Sequence, residues 1–281
     1  MAIAHGAEEN RMRLGLTSYT YRWAVGGDSR FGDDFRLGEP LDVFDLVDKV
    51  SALGLEVLQI ADNIDFDLTA QEYRELGETA KGKGIALQLG AGGISGSVVG
   101  KYSRIADLAG SSLLNLYAAK REPIEVVVER VRNFLPLLRD HELSLTLENE
   151  DSGLYSCHEL AEIFRQVDDP LVGACIDTMN SAAILENPLE TVGVLAPYAV
   201  CIHLKDFTVK RESVSGFSVF GVPVGKGMLD VKAVLSLVRE AGRDPDILLE
   251  QFMGRKGDEE ETLKEEERWI KEGIRFLRSL T

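Results

Sequence analysis

The sequence predicts an α/β fold of the (β/α)8 type, the TIM barrel, formed as a single domain over residues 1–281. Short apolar runs alternate with longer amphipathic segments along the whole chain, which is typical of parallel strands connected by helices. Eight such units follow one another without a linker or a change in composition. A barrel of this type needs about 250 residues, so the chain is long enough to form one.

Each predicted strand is apolar on both faces, as strands of a helix-covered parallel sheet are. The eight strands are Leu14–Ser18, Glu56–Ile60, Ile85–Leu89, Leu113–Tyr117, Leu143–Glu148, Val172–Asp177, Val200–Leu204 and Ile247–Glu250. Helices are predicted between them, because apolar residues recur there three and four positions apart. The clearest helices are Leu41–Leu53, Ala70–Lys83, Ile124–Leu138, Ser156–Gln166, Val231–Ala241 and Asp258–Leu280. Gly54, Gly84 and Gly242 follow helical runs and suit left-handed helix ends.

A doubly wound open sheet is the competing fold. The chain lacks the glycine-rich phosphate loops that such sheets carry after an early strand, which favours the barrel. Two connections, residues 19–40 and 207–228, are longer than a barrel requires, and both follow strands. We expect them at the end of the barrel where substrates bind, as a lid, an interface or self-packed loops.

The composition excludes several classes of partner. A formal net charge of −16 argues against nucleic acid, because proteins that bind it present a basic face. No stretch approaches the roughly 20 apolar residues of a membrane span, and the polar residues 1–13 do not resemble a signal peptide. We therefore expect a soluble cytoplasmic protein. Cys175 and Cys201 lie inside apolar runs and are interpreted as buried hydrophobic residues.

Four polar side chains lie at the ends of the last four predicted strands: Glu148, Asp177, His203 and Glu250. Each one alone is more simply explained as a helix cap or a core residue. Their joint occurrence at the same end of four consecutive strands predicts that they meet over the mouth of the barrel. Three carboxylates and one imidazole at that point predict a site for a divalent metal ion.

The predicted ligand set indicates the ion and its chemistry. A set with mostly oxygen atoms favours Mn²⁺ or Mg²⁺, with Co²⁺ or Zn²⁺ as alternatives. Such an ion acts as a Lewis acid when a proton beside a substrate carbonyl is removed. Glu148 and Glu250 come from the fifth and eighth strands, so we expect them on opposite sides of the substrate as an acid/base pair.

The motifs in the second half of the chain resemble those of the xylose isomerase-like TIM barrels, the sugar isomerase/epimerase superfamily. They are Leu-Glu-Asn at 147–149, Ile-Asp-Thr-Met-Asn at 176–180, Ile-His-Leu-Lys-Asp at 202–206, Val-Gly-Lys-Gly-Met-Leu-Asp at 224–230 and Leu-Leu-Glu at 248–250. The resemblance implies Glu148, Asp177, His203 and Glu250 as metal ligands, with the two glutamates exchanging protons. It also implies ketose 3-epimerases, hydroxypyruvate isomerases, inosose dehydratases and the endonuclease IV branch as relatives.

Two positions depart from this pattern. Asn180 stands where the nuclease branch and some epimerases carry His, so a trinuclear zinc site lacks ligands. Glu150 stands where relatives often carry His, and it is expected to bind a substrate hydroxyl or a loop N–H. Lys205 is expected to bind a substrate carboxylate or oxyanion, or to pair with Asp206. Further substrate-binding candidates are Asn180, Gln88 and Trp23.

The leading hypothesis is a metal-dependent isomerase or epimerase that acts on a keto-sugar or related polyhydroxy carbonyl compound through an enediolate. A lyase with the same site is the alternative, either an inosose-type dehydratase or a decarboxylase of a 3-oxo sugar acid. The segment 18–23 resembles decarboxylases of oxidised apiose derivatives. An endonuclease IV-like repair enzyme and a non-catalytic sugar-binding barrel are further alternatives. Relatives suggest a homo-oligomer, either a dimer or a tetramer.

Overall fold

A computed structural model describes residues 12–27, 35 and 37–280. Eight parallel strands close into a barrel in the order β1-β2-β3-β4-β5-β6-β7-β10, with β10 pairing back to β1. The barrel strands are β1 (Leu14–Thr17), β2 (Val57–Ile60), β3 (Ala86–Gly92), β4 (Leu113–Tyr117), β5 (Ser144–Glu148), β6 (Val172–Asp177), β7 (Ala199–Leu204) and β10 (Asp246–Leu249). The predicted (β/α)8 fold is confirmed.

Helices follow the barrel strands, and the longer ones bury their apolar faces against the outside of the barrel. They are α1 (Val43–Ala52), α2 (Ala70–Gly82), α3 (Gly96–Ala109), α4 (Ile124–Asp140), α5 (Cys157–Val167), α6 (Asn180–Ala183), α7 (Pro188–Leu195), α8 (Val231–Glu240) and α9 (Glu259–Arg278). Helices α3, α6 and α7 are not among the clearest segments named from the sequence. Helix α3 has a weaker pattern because it begins in a Gly- and Ser-rich stretch, where Ser95 caps it by accepting a hydrogen bond from Val98 N.

Local signals set several helix ends. Thr69 and Ser156 form capping boxes with the glutamates three residues later, which satisfies N–H groups that the first helical turn leaves free. Gly54, Gly84 and Gly242 have φ angles of 62°, 70° and 71°, as predicted for residues that end a helix in the left-handed conformation.

The connection 207–228, which the sequence indicates only as longer than a barrel requires, has regular structure. It contains an antiparallel hairpin of β8 (Asp206–Arg211) and β9 (Phe217–Val222). Its tip is exposed: Val214 and Phe217 are 91% and 70% accessible to solvent. A Cβ atom at Gly221 would lie 2.3 Å from the carbonyl oxygen of Phe252, so the hairpin packs closely beside the segment that follows β10. Of the connection 19–40, residues 28–34 and 36 lie outside the described residues.

The buried carboxylate of Asp206 anchors the base of this hairpin. It accepts hydrogen bonds from four backbone N–H groups, those of Phe207, Gly225, Gly227 and Leu229, at 2.8 to 3.1 Å. A Cβ atom at Gly227 would lie only 2.1 Å from the Asp206 carboxylate, so this close approach requires glycine. Asp206 therefore organises the loop after the hairpin and does not pair with Lys205.

We expect Asp206→Ala to destabilise the protein by about 3 to 5 kcal/mol, because it leaves several backbone N–H groups without an acceptor. The free energy of unfolding in urea measures this loss. Asp230→Ala is the matched control, since Asp230 is an exposed helix cap that accepts one such bond, from Ala233 N. Its removal is expected to cost about 1 kcal/mol. Equal losses for the two variants would contradict the anchoring role of Asp206.

A second buried carboxylate, Glu266 on α9, holds the start of the first long connection. It accepts hydrogen bonds from Trp23 N at 2.7 Å and from Ala24 N at 3.1 Å. Burial raises the pKa of Glu266 to about 8, although these two hydrogen bonds act in the opposite direction. The connection is thereby tied to the C-terminal helix.

Replacing Glu266 by Gln should flatten the pH dependence of stability. An unfolded glutamate titrates near pH ~4.3, whereas Glu266 in the fold has a pKa of about 8. Between these values the folded chain binds more protons, so stability falls as the pH rises through that window. Removing this carboxyl group should reduce the change of the free energy of unfolding with pH by at most about 1.4 kcal/mol per pH unit. Urea unfolding at several pH values between about 4 and about 8 measures the pH dependence of the free energy of unfolding, with Glu260→Gln, at an exposed residue, as the control. If the free energy of unfolding changed with pH equally in the wild type and in Glu266→Gln, the prediction would be refuted.

Candidate active site

The four residues at the predicted strand ends converge at one mouth of the barrel. Glu148 and Asp177 are the last residues of β5 and β6, His203 lies near the end of β7, and Glu250 directly follows β10. His203 Nδ1 lies 3.3 Å from Glu148 Oε1 and 3.3 Å from Glu250 Oε2. One potential ligand atom each from Glu148, Asp177 and His203 lies within 4.8 Å of the others.

Lys205 completes this cluster. Its ammonium lies 2.7 Å from Asp177 Oδ2 and 2.6 Å from Glu250 Oε1, and the side chain is 2% exposed. The ring centroid of Phe252 is 4.1 Å from Lys205 Nζ, close enough for a cation–π interaction. Of the two alternatives for Lys205, the structure excludes the pair with Asp206 and places the ammonium between two predicted metal ligands.

Mutual electrostatic interactions decide the protonation of the cluster. Burial lowers the pKa of an imidazole, but the charges of Glu148 and Glu250 outweigh that effect and raise the pKa of His203 to about 10. Burial also opposes the Lys205 ammonium, yet Asp177 and Glu250 raise its pKa above the ordinary value. Burial raises the pKa of Asp177 to about 6, against the opposing effect of Lys205. Three carboxylates thus face two cationic side chains.

Neighbouring polar groups orient the carboxylates. Asp177 Oδ1 accepts hydrogen bonds from Met179 N and Asn180 N, both at 2.9 Å, which leaves Oδ2 directed toward Lys205. Glu148 Oε2 accepts a hydrogen bond from Asn115 Nδ2 at 2.6 Å. Burial alone would raise the pKa of Glu148, but His203 outweighs this and holds that pKa below its usual value. Glu148 is therefore ionised at neutral pH and suited to act as a base.

A cavity of about 220 Å³ opens above this cluster. Of the predicted site residues, it is lined by Glu148, Glu150, Asn180, His203, Lys205 and Glu250. Asp177 is fully buried beside them. Further lining residues include Tyr19, Gln59, Asp62, Asn115, Tyr117, Asp151 and Phe252. The cavity therefore combines a strongly acidic surface with aromatic walls.

Glu150 lines the cavity with a carboxylate that is only partly satisfied. Its Oε2 accepts a hydrogen bond from Ser152 Oγ at 2.5 Å, and the backbone N–H of Ala118 also interacts with the carboxylate. The buried Oε1 has no hydrogen bond of ordinary geometry among the described residues. Burial raises the pKa of Glu150 above its ordinary value. This arrangement suits an acceptor for a substrate hydroxyl group.

Two predicted substrate-binding residues, Gln88 and Trp23, lie outside the set of described residues that line the cavity. Gln88 is buried one layer deeper in the barrel, where its amide donates to Asp246 Oδ2 at 2.7 Å. Trp23 packs with Phe35, Met253 and Trp269 and donates a hydrogen bond to the carbonyl of Met253. Gln88 thus faces the barrel interior and Trp23 belongs to a packing cluster, so neither lines the cavity, and their contact with substrate stays a prediction.

Sequence reasoning missed several lining residues. Gln59 and Asn115 are polar residues inside otherwise apolar strands, and that interruption was a signal that could have identified them. Asp62 has no comparable signal, because it lies in a loop after β2. It accepts hydrogen bonds from Tyr19 OH at 3.1 Å and Tyr117 OH at 2.6 Å, contacts that only the folded chain creates.

The donor set fits a divalent cation. Two buried oxygens, Asp177 Oδ2 and Glu250 Oε2, have no hydrogen bond among the described residues, although cationic groups lie near both. Carboxylate oxygens together with one imidazole nitrogen are ligands for Mg²⁺, Mn²⁺ or Zn²⁺. A second group, Cys175, Cys201 and His203, fits less well, because burial raises the pKa of the Cys175 thiol and disfavours the thiolate that binds metals.

Comparison with known proteins identifies the family. The sequence profile of the xylose isomerase-like TIM barrels matches residues 47–280. The chain belongs to this family. That assignment confirms the resemblance seen in the sequence motifs, and the fold agrees with it.

One curated relative extends along nearly the whole chain. The 3-oxo-isoapionate decarboxylase of Pectobacterium atrosepticum is 26% identical over 271 residues, which are 95% of each chain. Among solved structures, the D-psicose 3-epimerase of Clostridium cellulolyticum H10, determined with D-tagatose, has a TM-score of 0.69 at 16% identity, covering 96% of this chain and 98% of that one. A xylose isomerase-like TIM barrel protein of Mycobacterium smegmatis, determined in complex with magnesium, has a TM-score of 0.67 at 14% identity with the same coverage.

The named enzymes among these relatives modify sugars or sugar acids. At their level of identity, the solved structures establish the shared fold. In the part of the chain that the structure describes, no helix is long and apolar enough to span a membrane.

Proposed function

We propose that this protein is a divalent-metal-dependent decarboxylase of a 3-oxo sugar acid. The observation that carries the choice of reaction is the similarity to a decarboxylase of that substrate class over 95% of both chains. The buried cluster at the barrel mouth supports the chemistry, because removal of carboxylate beside a ketone requires stabilisation of negative charge on the keto oxygen.

Glu148, Asp177, His203 and Glu250 would hold the ion, with Mg²⁺ or Mn²⁺ favoured by the oxygen-rich set. When bound, the ion supplies Lewis-acid stabilisation of the charge that develops on the keto oxygen. Asn115 and Asn180 hold the Glu148 side chain in position, through amide contacts of 2.6 Å and 3.5 Å.

The side chains provide the proton that the reaction requires. The bond between the carboxylate and the adjacent carbon breaks, CO2 leaves, and the electron pair spreads over the carbon and the keto oxygen. The carbon then needs a proton. Lys205 carries one and lies 2.6 Å from Glu250 Oε1, so a proton can pass from the ammonium through Glu250 to the carbon. Lys205 also lies against the Phe252 ring, an apolar wall suited to uncharged CO2.

The cavity surface restricts the substrate. Its acidic residues are Asp62, Glu148, Glu150, Asp151 and Glu250. Its cationic groups among the described residues are His203 and Lys205, and both contact carboxylates. The doubly charged phosphate of a phosphate ester would be repelled more strongly by this acidic surface than the single carboxylate of a sugar acid, whose hydroxyl groups can also donate to these oxygens. We therefore propose a polyhydroxy substrate without phosphate.

A keto-sugar isomerase or epimerase is the second candidate, and it was the leading hypothesis from the sequence. The pair of glutamates favours it, since Glu148 and Glu250 approach His203 Nδ1 from different strands at equal distances of 3.3 Å. An ionised Glu148 can abstract a proton beside a carbonyl, and the other carboxylate can return one. Its product would have the same mass as its substrate.

Product analysis separates the two candidates. The purified protein, supplied with Mg²⁺ or Mn²⁺, is incubated with 3-oxo sugar acids labelled at the carboxyl carbon and with a panel of keto-sugars. We expect labelled CO2 from a sugar acid and no change in the keto-sugars, and the release of CO2 should stop after chelation of the metal. Conversion of a keto-sugar to an isomer, without release of CO2 from any acid, would refute the decarboxylase and support the second candidate.

A further inference from the structure

A continuous chain of hydrogen bonds crosses the barrel interior and ends at His203. At the amino end of the strands, Arg13 donates to both oxygens of Asp246, at 2.8 and 2.7 Å. Gln88 Nε2 donates to Asp246 Oδ2 at 2.7 Å, and Gln59 Nε2 donates to Gln88 Oε1 at 3.1 Å. His203 Nε2 then lies 2.8 Å from Gln59 Oε1. These hydrogen bonds thus connect the amino end of the barrel strands to the candidate metal site.

The chemistry of the groups determines the direction of this chain. A carboxylate is an acceptor only, so the Gln88 side chain must direct its NH2 group toward Asp246. Its carbonyl oxygen then faces Gln59, whose NH2 group donates to it. The carbonyl oxygen of Gln59 is left to face His203. Because a carbonyl oxygen cannot donate, the Nε2 atom of His203 must carry a hydrogen.

We propose that Asp246, Gln88 and Gln59 are positioning residues that hold a proton on His203 Nε2 and reserve Nδ1 for the divalent ion. Nδ1 is the ring atom that faces Glu148 Oε1 and Glu250 Oε2. The arrangement is the same whether the ring carries one proton or two, because the Nε2–H bond to Gln59 exists in both forms. The proposal rests on the metal site of the proposed function and is independent of the reaction and the substrate.

The cost of burying this chain argues that it has a role beyond packing. Barrel interiors are mostly filled by branched aliphatic side chains, yet Gln59 and Gln88 are 1% and 3% exposed. Each buried amide requires all its partners, since an unpaired one costs about 1 to 3 kcal/mol. Partners that hold the second nitrogen of a ligating histidine orient the ring and set its tautomer.

Nitrogen NMR of histidine-labelled protein loaded with diamagnetic Mg²⁺ tests the proposal directly. We expect the Nε2 of His203 to carry a slowly exchanging proton and Nδ1 to carry none. A proton on Nδ1 in the loaded protein would overturn the proposal. The readout involves no substrate, so it stands apart from the test of decarboxylation. Failure of the wild-type protein to bind Mg²⁺ or Mn²⁺ in calorimetry would overturn the metal site and this proposal together.

Two variants test the same chain through metal affinity. Gln88→Met interrupts it between Asp246 and Gln59. Asp246→Asn keeps the shape but introduces a donor, which permits the amides to turn and place a donor against His203 Nε2. We expect each to weaken Mn²⁺ binding by about 10- to 100-fold, as changes behind a ligating histidine do.

Gln251→Met is the matched control, because Gln251 is also a buried glutamine but belongs to a different contact, with the backbone oxygen of Glu266. It should bind Mn²⁺ like the wild type. Unchanged affinity in both Gln88→Met and Asp246→Asn, with a native unfolding transition, would overturn the proposal. If Gln88→Met does not fold, Asp246→Asn and the wild-type NMR spectrum decide.

Discussion

Replacing either Glu148 or Glu250 by Gln is expected to lower turnover by about 10²- to 10⁴-fold while the barrel remains folded, the range that a positioned acid or base contributes. Glutamine preserves the shape of the side chain but cannot accept or return a proton. It also provides a weaker ligand than a carboxylate. For Glu250→Gln the loss should be the larger one, because this residue also contacts Lys205 Nζ at 2.6 Å.

The measurement is the rate of product formation from the substrate that the labelled panel identifies, with the metal content of each variant determined in parallel. Glu190→Gln is the control, because Glu190 is an exposed residue at the start of α7 whose side chain is 63% accessible. It should match the wild type. Normal rates from folded, metal-loaded Glu148→Gln and Glu250→Gln would refute the assignment of an acid/base pair.

Lys205→Met is expected to have opposite effects on turnover and metal affinity. The ammonium contacts Asp177 Oδ2 and Glu250 Oε1, which belong to two of the predicted metal ligands. Removing it makes the site more negative by one charge, so affinity for Mn²⁺ should rise by about tenfold. Turnover should fall by about 10²-fold or more, because the proton donor is lost.

The same variant should be unstable without metal. Removal of one partner from a buried ion pair costs about 3 to 5 kcal/mol, and saturating Mn²⁺ should restore much of that loss by neutralising the two carboxylates. Calorimetric titration gives the affinity, and urea unfolding with and without metal gives the stability. Lys226→Met, at an exposed lysine, serves as the control. A lower metal affinity in Lys205→Met would show that the ammonium does not compete with the ion.

The fold was largely predictable because it depends on a repeated local pattern. Buried strands read as apolar runs and helices as amphipathic ones, and glycines at positions 54, 84 and 242 end helices where predicted. The pattern failed where small or exposed residues obscured it. Helix α3 begins among glycines and serines, and the hairpin β8–β9 presents apolar residues such as Phe217 to solvent. The sequence pattern of these two segments therefore does not indicate the secondary structure that they form.

The candidate metal ligands were predictable because parallel strands in a barrel have one common carboxyl end. A polar residue at that end of consecutive strands must approach its counterparts, whatever the details of packing. The positions of Gln88 and Trp23 outside the cavity lining could not be predicted, because the direction of a side chain depends on tertiary contacts. Gln88 points into the barrel interior, where it donates a hydrogen bond to Asp246, and the Trp23 ring packs against the Phe35 ring.

The sequence by itself determined the barrel and the four side chains at its mouth. These features follow from order along the chain and from composition. Only the tertiary structure decided that Lys205 lies between Asp177 and Glu250, and that a chain of amides from Asp246 reaches His203 Nε2. Both depend on residues from separate strands whose side chains meet inside the closed barrel. Spacing in the sequence carries no information about which atoms of such side chains face each other.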